Sequence, residues 1–425
     1  MTTQPHLEKL AQLAQHPNSM DDYDPNAMSV EQAHAFIEQF LTPVVEVESV
    51  PVMQALGRIV AQAITSPHNV PNYDNSAMDG FALKAEDAGN PLNIVGTALA
   101  GKPFAEKLNS GECIKIMTGG MIPQGADTVV MQEHTQIDGQ TMSIHTLPKL
   151  GANIRLAGED LSMGQTVLQL GHRIQPADLG LIASLGVAEV MVYRPLRVAF
   201  FSTGDELSPV GKPLAEGQIY DSNRYTLFGM LSKLGVIPYD LGAIPDDIAL
   251  LESTLLKAAS AHDVVITSGG VSVGEADHMK TLLAKHGQVL FWKINMKPGR
   301  PLAYGKIGRA HYFGLPGNPV AAMVSFYQFV RTALLQVMGA TPKPLPMFKV
   351  ECTAPIKKAT GRTEFQRGLL FLEQGLWKVK PTNNQSSGVL SSMSLANCFI
   401  VLEAPVGNCA AGQLVDVQPF EGMMN

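Results

Sequence analysis

The chain has 425 residues, 45% of them hydrophobic and 16% charged, so it can bury several domain cores and is not a disordered protein. Its net charge of -7 argues against a general nucleic-acid binder, although a local basic site can still bind an anion. The four cysteines form no CxxC pair, which indicates neither a zinc ribbon nor a disulfide framework. No signal peptide or membrane span is recognised, and we expect a cytoplasmic protein that binds neither nucleic acid nor membrane.

The first predicted elements are helices that flank a β-rich region. A polar leader over residues 1–28 precedes a helix at Ser29, where Ser29 and Gln32 match a capping box. Pro176 is suited to the first position of a second helix. Between these helices, residues 67–161 contain short β-type runs separated by Gly, Pro, Asn and Asp turns. We therefore predict a small β-rich domain inserted into a helical one.

From residue 195 onward, buried strand runs alternate with helical segments. The predicted strands are 196–201, 236–241, 264–267, 289–294 and 312–315. This alternation predicts a doubly wound, mostly parallel sheet covered by helices on both faces. The helical period disappears after Pro344, and the remainder is expected to form a small barrel-like β domain.

The predicted fold class is thus a multidomain α/β protein. We expect the following segments: a flexible leader (1–28), a discontinuous linking and dimerisation domain (29–66 plus 162–194), the inserted β-rich domain (67–161), the central α/β domain (195–343) and the C-terminal β domain (344–425).

Acidic residues gather where the predicted strands of the α/β domain end. Asp205 and Glu206 follow the first strand, Asp246 the second and Asp277 the third. Ligands of open α/β sheets bind at the carboxyl ends of the strands, and converging carboxylates are usually relieved by a divalent cation. The alternative is that Asp246 and Asp277 only cap helices.

Groups suited to anions lie near the same strand ends. Lys297 and Arg300 flank a proline-stiffened turn and suit phosphate or another oxyanion. The helix start at Asn318 and the glycine loop 269–274 offer backbone N–H groups for a further anion. Carboxylates for a metal together with donors for anions indicate a metal-bound phosphorylated ligand.

One segment also matches a hydrolase motif. Residues 270–274 read G-x-S-x-G between a strand and a helix, with Ser272 in the nucleophile position. A triad of that kind needs an acid and then a histidine downstream. The only acids between Ser272 and His311 are Glu275 and Asp277, both within about a turn on the same helix. A serine hydrolase is therefore retained only as an alternative.

The inserted domain contains a polar segment over residues 71–82 that is typical of an exposed loop. Asp79 precedes a glycine in this segment, and Thr118 and Asp160 lie in similar turns. The spacing alone does not separate a functional role from turn chemistry for any of the three.

Taken together, seven segments carry a family resemblance: 75–80, 116–119, 158–160, 202–207, 219–224, 268–277 and 314–319. From about residue 28 to the C-terminus the chain closely resembles the molybdopterin molybdenumtransferase family, the bacterial MoeA proteins and the gephyrin E domain. The resemblance implies a homodimer of elongated four-domain subunits that acts in molybdenum cofactor synthesis. It further implies molybdate and adenylylated molybdopterin as substrates, Mg²⁺ as the required metal, AMP as a product and the molybdopterin adenylyltransferase as a partner.

The resemblance also assigns candidate site residues. The functional acids and hydroxyl of the family fall on Asp79, Thr118, Asp160, Glu206, Asp246 and Asp277, of which Glu206, Asp246 and Asp277 are candidates for Mg²⁺. The substrate- and anion-binding candidates are Ser272, Lys297, Arg300, Asn318, Arg367 and Ser392. Arg300 stands where lysine is often expected, which keeps the charge. The resemblance implies a site shared between subunits, with Asp79 of one subunit facing Asp277 of the other. A non-catalytic scaffold on the same fold is a further alternative.

Overall fold

The computed structural model describes residues 27–270, 278–341 and 343–420. The chain divides into two compact units, Glu48–Val192 and a second unit made of Met1–Val47 with Tyr193–Asn425. Helix α1 (Val30–Glu38) opens the described chain, and the side chains of Ser29 and Gln32 form the predicted capping box. The predicted start of this helix is confirmed.

The Glu48–Val192 unit is rich in β structure. Its elements are β1 (Val47–Pro51), β2 (Ile64–Thr65), β3 (Asn75–Ser76), β4 (Gly80–Leu83), β5 (Leu92–Ala98), β6 (Glu112–Ile116), β7 (Thr128–Met131), β8 (Thr135–Asp138), β9 (Thr141–Ile144), β10 (Ile154–Arg155), β11 (Thr166–Leu168), α2 (Pro176–Ser184) and β12 (Glu189–Tyr193). A six-stranded sheet has the order β7-β4-β6-β5-β9-β8. Two-stranded pairs join β1 to β12, β2 to β11 and β3 to β10. Helix α2 begins at Pro176 as predicted.

The first part of the second unit is an α/β sheet with its helices. Its elements are β13 (Arg197–Thr203), β14 (Leu207–Ser208), β15 (Ile219–Tyr220), α3 (Ser222–Leu234), β16 (Ile237–Ile244), α4 (Ile248–Ala261), β17 (Val264–Ser268), α5 (His278–His286), β18 (Gln288–Lys293), β19 (Met296–Lys297), β20 (Pro301–Ile307), β21 (Ala310–Leu315), α6 (Pro319–Ser325) and α7 (Arg331–Val337). The sheet order is β16-β13-β17-β21-β20-β18. The first four strands are parallel, which confirms the mostly parallel sheet.

Within this six-stranded sheet, β20 is the strand that the sequence pattern missed. It runs antiparallel to both neighbours, β18 and β21. Strands β18 and β20 are antiparallel because the chain reverses direction between them, through the 297–300 turn, without a crossover helix. The rest of the sheet keeps the α/β alternation, with α4 and α5 packed on one face through Leu251, Leu255 and Leu282. Helices α3 and α6 pack against β13 and β21.

The C-terminal part forms the predicted closed barrel. Its elements are β22 (Phe348–Cys352), β23 (Thr363–Glu373), β24 (Leu376–Pro381), α8 (Ser391–Leu395), β25 (Cys398–Leu402) and β26 (Leu414–Pro419). The strands pair in the order β23-β24-β22-β26-β25, and β25 returns to β23 and closes the barrel. Strand β19 of the preceding region adds to the barrel through parallel pairing with β23.

A π-helical turn, Phe326–Val330, joins α6 to α7 and contacts the barrel. The Tyr327 ring stacks on Phe420 with 5.4 Å between centroids, and Gln328 Nε2 donates to Gln418 Oε1 at 2.9 Å. The whole helical stretch Pro319–Val337 is long and apolar enough to cross a membrane by length and composition. However, 78% of its most apolar window is buried inside the protein, as expected for a core helix.

His311 is a buried titratable group at the start of β21. Its Nε2 lies 3.0 Å from Thr42 Oγ1, and its Nδ1 lies 3.3 Å from the Tyr304 hydroxyl. Burial, assisted by the charge of Lys306, lowers the pKa of His311 from 6.5 to about 4. The unfolded chain therefore takes up a proton below pH 6.5 while the folded chain does not. The stability that this neutral ring provides is present above pH 6.5 and is lost as the pH falls from 6.5 towards 4.

We therefore expect a His311→Gln variant to have a weaker pH dependence of stability than the wild type. Between pH 7 and pH 5 the free energy of unfolding should fall by about 2 kcal/mol more in the wild type than in the variant. Chemical denaturation at several pH values measures this difference. His145→Gln, at an exposed position, is the control and should follow the wild type. Parallel curves for His311→Gln and the wild type would show that the ring does not stay neutral in the fold.

Candidate functional site

The carboxylates predicted at the strand ends do come together. The backbone N–H of Asp246, after β16, donates to Asp205 Oδ1, after β13, at 3.0 Å. Partial burial raises the pKa of Asp246, and the neighbouring charges of Asp205 and Glu206 raise it further. This acidic edge consists of Asp205, Glu206 and Asp246, and a bound cation would relieve the part of the raised pKa that comes from the neighbouring carboxylates.

Asp246 is not the residue that caps the following helix. The N-cap of α4 is Asp247, whose Oδ1 accepts the Leu250 N–H at 2.8 Å. The side chain of Asp246 is exposed and has no capping role. The alternative that Asp246 is only a helix cap is therefore wrong. Asp277, which has the corresponding alternative, lies outside the described residues, as does Ser272.

The turn after β13 depends on a glycine. Gly204 has φ +145°, and a Cβ at this position would lie 2.3 Å from Glu206 Oε2. The carboxylate of Glu206 therefore folds back over the backbone of Gly204, where a side chain would displace it. Glu206 and Asp246 are oxygen donors that suit a hard cation. Over residues 27–270, 278–341 and 343–420 no three His, Cys, Asp or Glu residues surround a common point.

Asn223 joins two loops at the carboxyl edge of the sheet. Its Nδ2 donates to Ser268 Oγ and to the carbonyl of Gly317, both at 2.7 Å. Asn318 stands at the N-cap of α6, and its exposed side chain makes no capping hydrogen bond. The sequence placed Asn223 only within a family motif, because a bond between residues 45 positions apart leaves no local signal.

Asp79 and Thr118 are brought together in the Glu48–Val192 unit. Asp79 Oδ1 accepts the backbone N–H of Thr118 at 2.7 Å and its hydroxyl at 2.8 Å. These two bonds, the backbone one first, lower the pKa of Asp79 below its usual range. The carboxylate is therefore held ionised and in a fixed orientation, directly before strand β4.

Asp160 is exposed in a separate loop of the same unit. Its backbone N–H donates to the carbonyl of Val70 at 3.0 Å. In the described part of the chain no hydrogen bond links Asp160 to the Asp79–Thr118 pair.

Two predicted anion-binding residues, Lys297 and Arg367, share the wall of one cavity. The cavity has a volume of about 310 Å³, and it is lined by Lys297 and Pro298 from the α/β part and by barrel residues including Lys357, Glu364 and Arg367. Arg300 is half-buried and is not among the lining residues. We call this cavity the anion cavity.

Arg367 provides the fixed cation of the anion cavity. The residue is 1% exposed, and burial lowers the pKa of its guanidinium to about 10, so it remains charged at neutral pH. Its Nε donates to Ser392 Oγ at 3.2 Å, and Nη2 donates to the carbonyls of Asn384 and Ser386. Arg367 is one of the residues that line the cavity, and its Nη1 makes no hydrogen bond to any described residue.

The structure gives Ser392 a supporting position. Its hydroxyl accepts from Arg367 and donates to the Val389 carbonyl at 2.7 Å, and it is buried away from the cavity wall. Ser392 therefore orients the guanidinium from behind.

Glu364 is a charged wall residue that the sequence did not single out. It is 6% exposed, its Oε2 accepts from Gln366 Nε2 at 2.8 Å, and its Oε1 lies 3.7 Å from Lys297 Nζ. Its charge also raises the pKa of the buried Lys358 and of Arg367, against the larger lowering by burial. No local sequence pattern marks Glu364 as a site residue, because Glu364 and Lys297 meet only through the non-local β19–β23 pairing.

Comparisons with known proteins cover most of the chain. Three family models match: the MoeA N-terminal region over residues 28–186, a probable molybdopterin binding domain over 199–336 and the MoeA C-terminal region over 349–420. A molybdopterin molybdenumtransferase of Haemophilus influenzae is 46% identical over 93% of this chain and the whole of that protein. One from Bacillus subtilis is 34% identical over 88% of this chain and 89% of that protein. The crystal structure of a molybdopterin biosynthesis MoeA protein from Pyrococcus horikoshii is 29% identical, with a TM-score of 0.81 over 93% of this chain and all of that one.

The support of Arg367 by Ser392 generates a stability prediction. Ser392→Ala leaves the buried Nε of Arg367 without its partner, which should cost about 1–3 kcal/mol of unfolding free energy. The exposed Ser394 on the same short helix provides a matched control, and Ser394→Ala should change stability by less than about 0.5 kcal/mol. Urea denaturation of both variants makes the comparison. Equal stability of the two variants would remove the supporting role from Ser392.

Proposed function

The chain belongs to the molybdopterin molybdenumtransferase family, and we propose that it inserts molybdate into adenylylated molybdopterin with release of AMP in a Mg²⁺-dependent reaction. The enzyme acts in molybdenum cofactor biosynthesis. The observation that carries the finer proposal is the anion cavity, where the guanidinium of the buried Arg367 and the ammonium of Lys297 offer positive charge to an oxyanion.

Molybdate is a tetrahedral dianion, and we propose that it binds in the anion cavity. Arg367 offers a preoriented N–H donor, while Lys297 and Lys357 contribute exposed positive charge. The acidic edge would repel the same dianion because its carboxylates carry like charge. Arg300 and Asn318 remain candidate ligands for the phosphate groups of the second substrate. The dithiolene sulfurs that receive molybdenum belong to the pterin, so no protein thiolate is required.

The acidic edge supports the Mg²⁺ assignment. We propose that Glu206 and Asp246 hold the ion with Asp277, since Mg²⁺ commonly takes one or two carboxylates and completes its shell with water and substrate phosphates. When bound, Mg²⁺ would neutralise the phosphoanhydride oxygens of the adenylylated substrate. The protein's own part is to place these carboxylates at one strand edge, and the bond from the Asp246 backbone N–H to Asp205 Oδ1 supports this placement by linking the two turns that carry Glu206 and Asp246.

Asp79, Thr118 and Asp160 are proposed to act on the pterin part of the substrate. An ionised carboxylate held by two bonds from Thr118 is an oriented acceptor for pterin N–H groups. We further propose a homodimer in which Asp79 of one subunit and Asp277 of the other complete one site. The adenylylated substrate would be supplied by a molybdopterin adenylyltransferase, and the enzyme is proposed to be cytoplasmic.

The central test is AMP release from adenylylated molybdopterin. Release should require both molybdate and Mg²⁺, and removal of Mg²⁺ by chelation should stop it until the ion is restored. Ser272→Ala separates the transferase from a serine hydrolase. A hydrolase would lose essentially all nucleophilic chemistry, whereas the transferase should keep a substantial part of its activity. Release of AMP at the same rate without molybdate would contradict the proposed function.

The shared site is tested by mixing inactive subunits. Asp79→Asn and Asp277→Asn should each abolish activity, while subunit exchange between them should restore about a quarter of the wild-type rate. The reason is symmetry: random exchange gives about half heterodimers, each with one doubly altered site and one intact site. AMP release is measured before and after exchange, with exchange itself followed by differently tagged subunits. Demonstrated exchange without recovery would mean that the two acids act within one subunit, or that Asp79 only shapes its loop.

A further inference from the structure

The anion cavity contains a negative charge that opposes its proposed ligand. Glu364 is buried in the cavity wall, and the donor on Gln366 holds its carboxylate in place at 2.8 Å. An entering dianion meets this fixed charge at the same wall as the two cations that attract it. The cavity is therefore less favourable to an oxyanion than its cations alone would make it.

Glu364 is also the resting partner of Lys297. The two charged groups are 3.7 Å apart, and Lys297 has no other ion pair among the described residues. The lysine side chain is 61% exposed, so its ammonium moves at little cost in free energy. Arg367 differs from it, because Ser392 and two backbone carbonyls hold the guanidinium fixed.

The backbone pairing of two strands makes Lys297 and Glu364 neighbours. In the parallel pairing of β19 with β23, Lys297 is the direct partner of Glu364. The Asn295 side chain donates to the Gly361 carbonyl at 2.6 Å just before this pair and anchors the two strands. Lys297 can therefore pair either with the buried carboxylate of Glu364 or with an oxyanion in the cavity.

We propose that Glu364 competes with the bound oxyanion for Lys297 and thereby weakens molybdate binding, so that the cavity releases the ion to the reaction. This inference rests on the proposed function and adds a control of affinity at the same site. Binding that holds molybdate in the ground state and is lost as the ion is transferred slows the chemical step, so a looser cavity favours turnover. A buried counter-charge that served only the fold would have the opposite signature, since its removal would loosen the cavity.

The test measures molybdate binding directly by equilibrium dialysis of the full-length protein, with molybdenum quantified on both sides. Glu364→Gln keeps the size of the side chain and an acceptor for Gln366 but removes the charge. We expect molybdate to bind on the order of tenfold more tightly, and sulfate to compete more strongly by a similar factor. In the AMP-release assay the KM for molybdate should fall together with kcat. Unchanged or weaker binding in the folded variant overturns the proposal.

Two further variants control for folding and for charge in general. Glu373→Gln removes an exposed carboxylate from the same strand, where it pairs with Lys378 at 2.9 Å outside the cavity lining, and should leave molybdate binding unchanged. Glu364→Asp keeps the buried counter-charge but withdraws it by one methylene from Lys297. If Glu364→Gln does not fold, Glu364→Asp should still tighten binding about two- to threefold. Weaker or unchanged binding in folded Glu364→Asp would then overturn the proposal.

A double-mutant cycle isolates the competition for Lys297. Lys297→Met should weaken molybdate binding, and adding Glu364→Gln in that background should change affinity less than about twofold. A full tenfold gain in that background would mean that Glu364 acts only through its field, which overturns the proposal. Wild-type protein that binds no molybdate contradicts the proposed function itself. Normal wild-type binding with no gain in Glu364→Gln contradicts this inference alone.

Discussion

A two-residue parallel pairing determines the chemistry of the anion cavity. Met296 and Lys297 of β19 pair with Thr363 and Glu364 of β23, so a turn that leaves the α/β sheet adds a strand to the barrel. Neither part alone contains the cavity, because Lys297 and Pro298 come from the turn and Arg367 from the barrel. The aromatic contact of Tyr327 with Phe420 and Phe399 holds the same two parts together at a second place.

The carboxylates of the acidic edge and the guanidinium of Arg367 are positioned by different features of the fold. The acidic edge follows from topology, because parallel strands end at one edge and the residues after β13 and β16 become neighbours. The fixed cation follows from burial, because Arg367 is held by a serine hydroxyl and two carbonyls inside the barrel. The proposed metal site and the proposed oxyanion site therefore use different elements of the same unit.

Sequence patterns predicted the parts of this arrangement that depend on local order. The capping box at Ser29, the proline start of α2 and the acids after β13 and β16 are local features, and the structure confirms their placement. Strand β20 was not predicted because an antiparallel return has no crossover helix to mark it. Glu364 escaped for a related reason, since its partner Lys297 is distant in sequence and meets it only after the barrel has formed.

Glu364 shows why the residues of a site cannot be sorted by charge alone. By its charge alone, the buried carboxylate of Glu364 is a counter-charge for Arg367 and Lys297 that makes burial of the guanidinium tolerable. Glu364 has a second effect because it also pairs with the exposed Lys297. A lysine that is paired with Glu364 binds a ligand only after it has left that carboxylate. In the proposed role, the same ion pair lowers the affinity of the cavity for its ligand. In the proposed reaction molybdate has to leave the cavity for the pterin sulfurs, and weaker ground-state binding in the cavity would lower the barrier to its transfer.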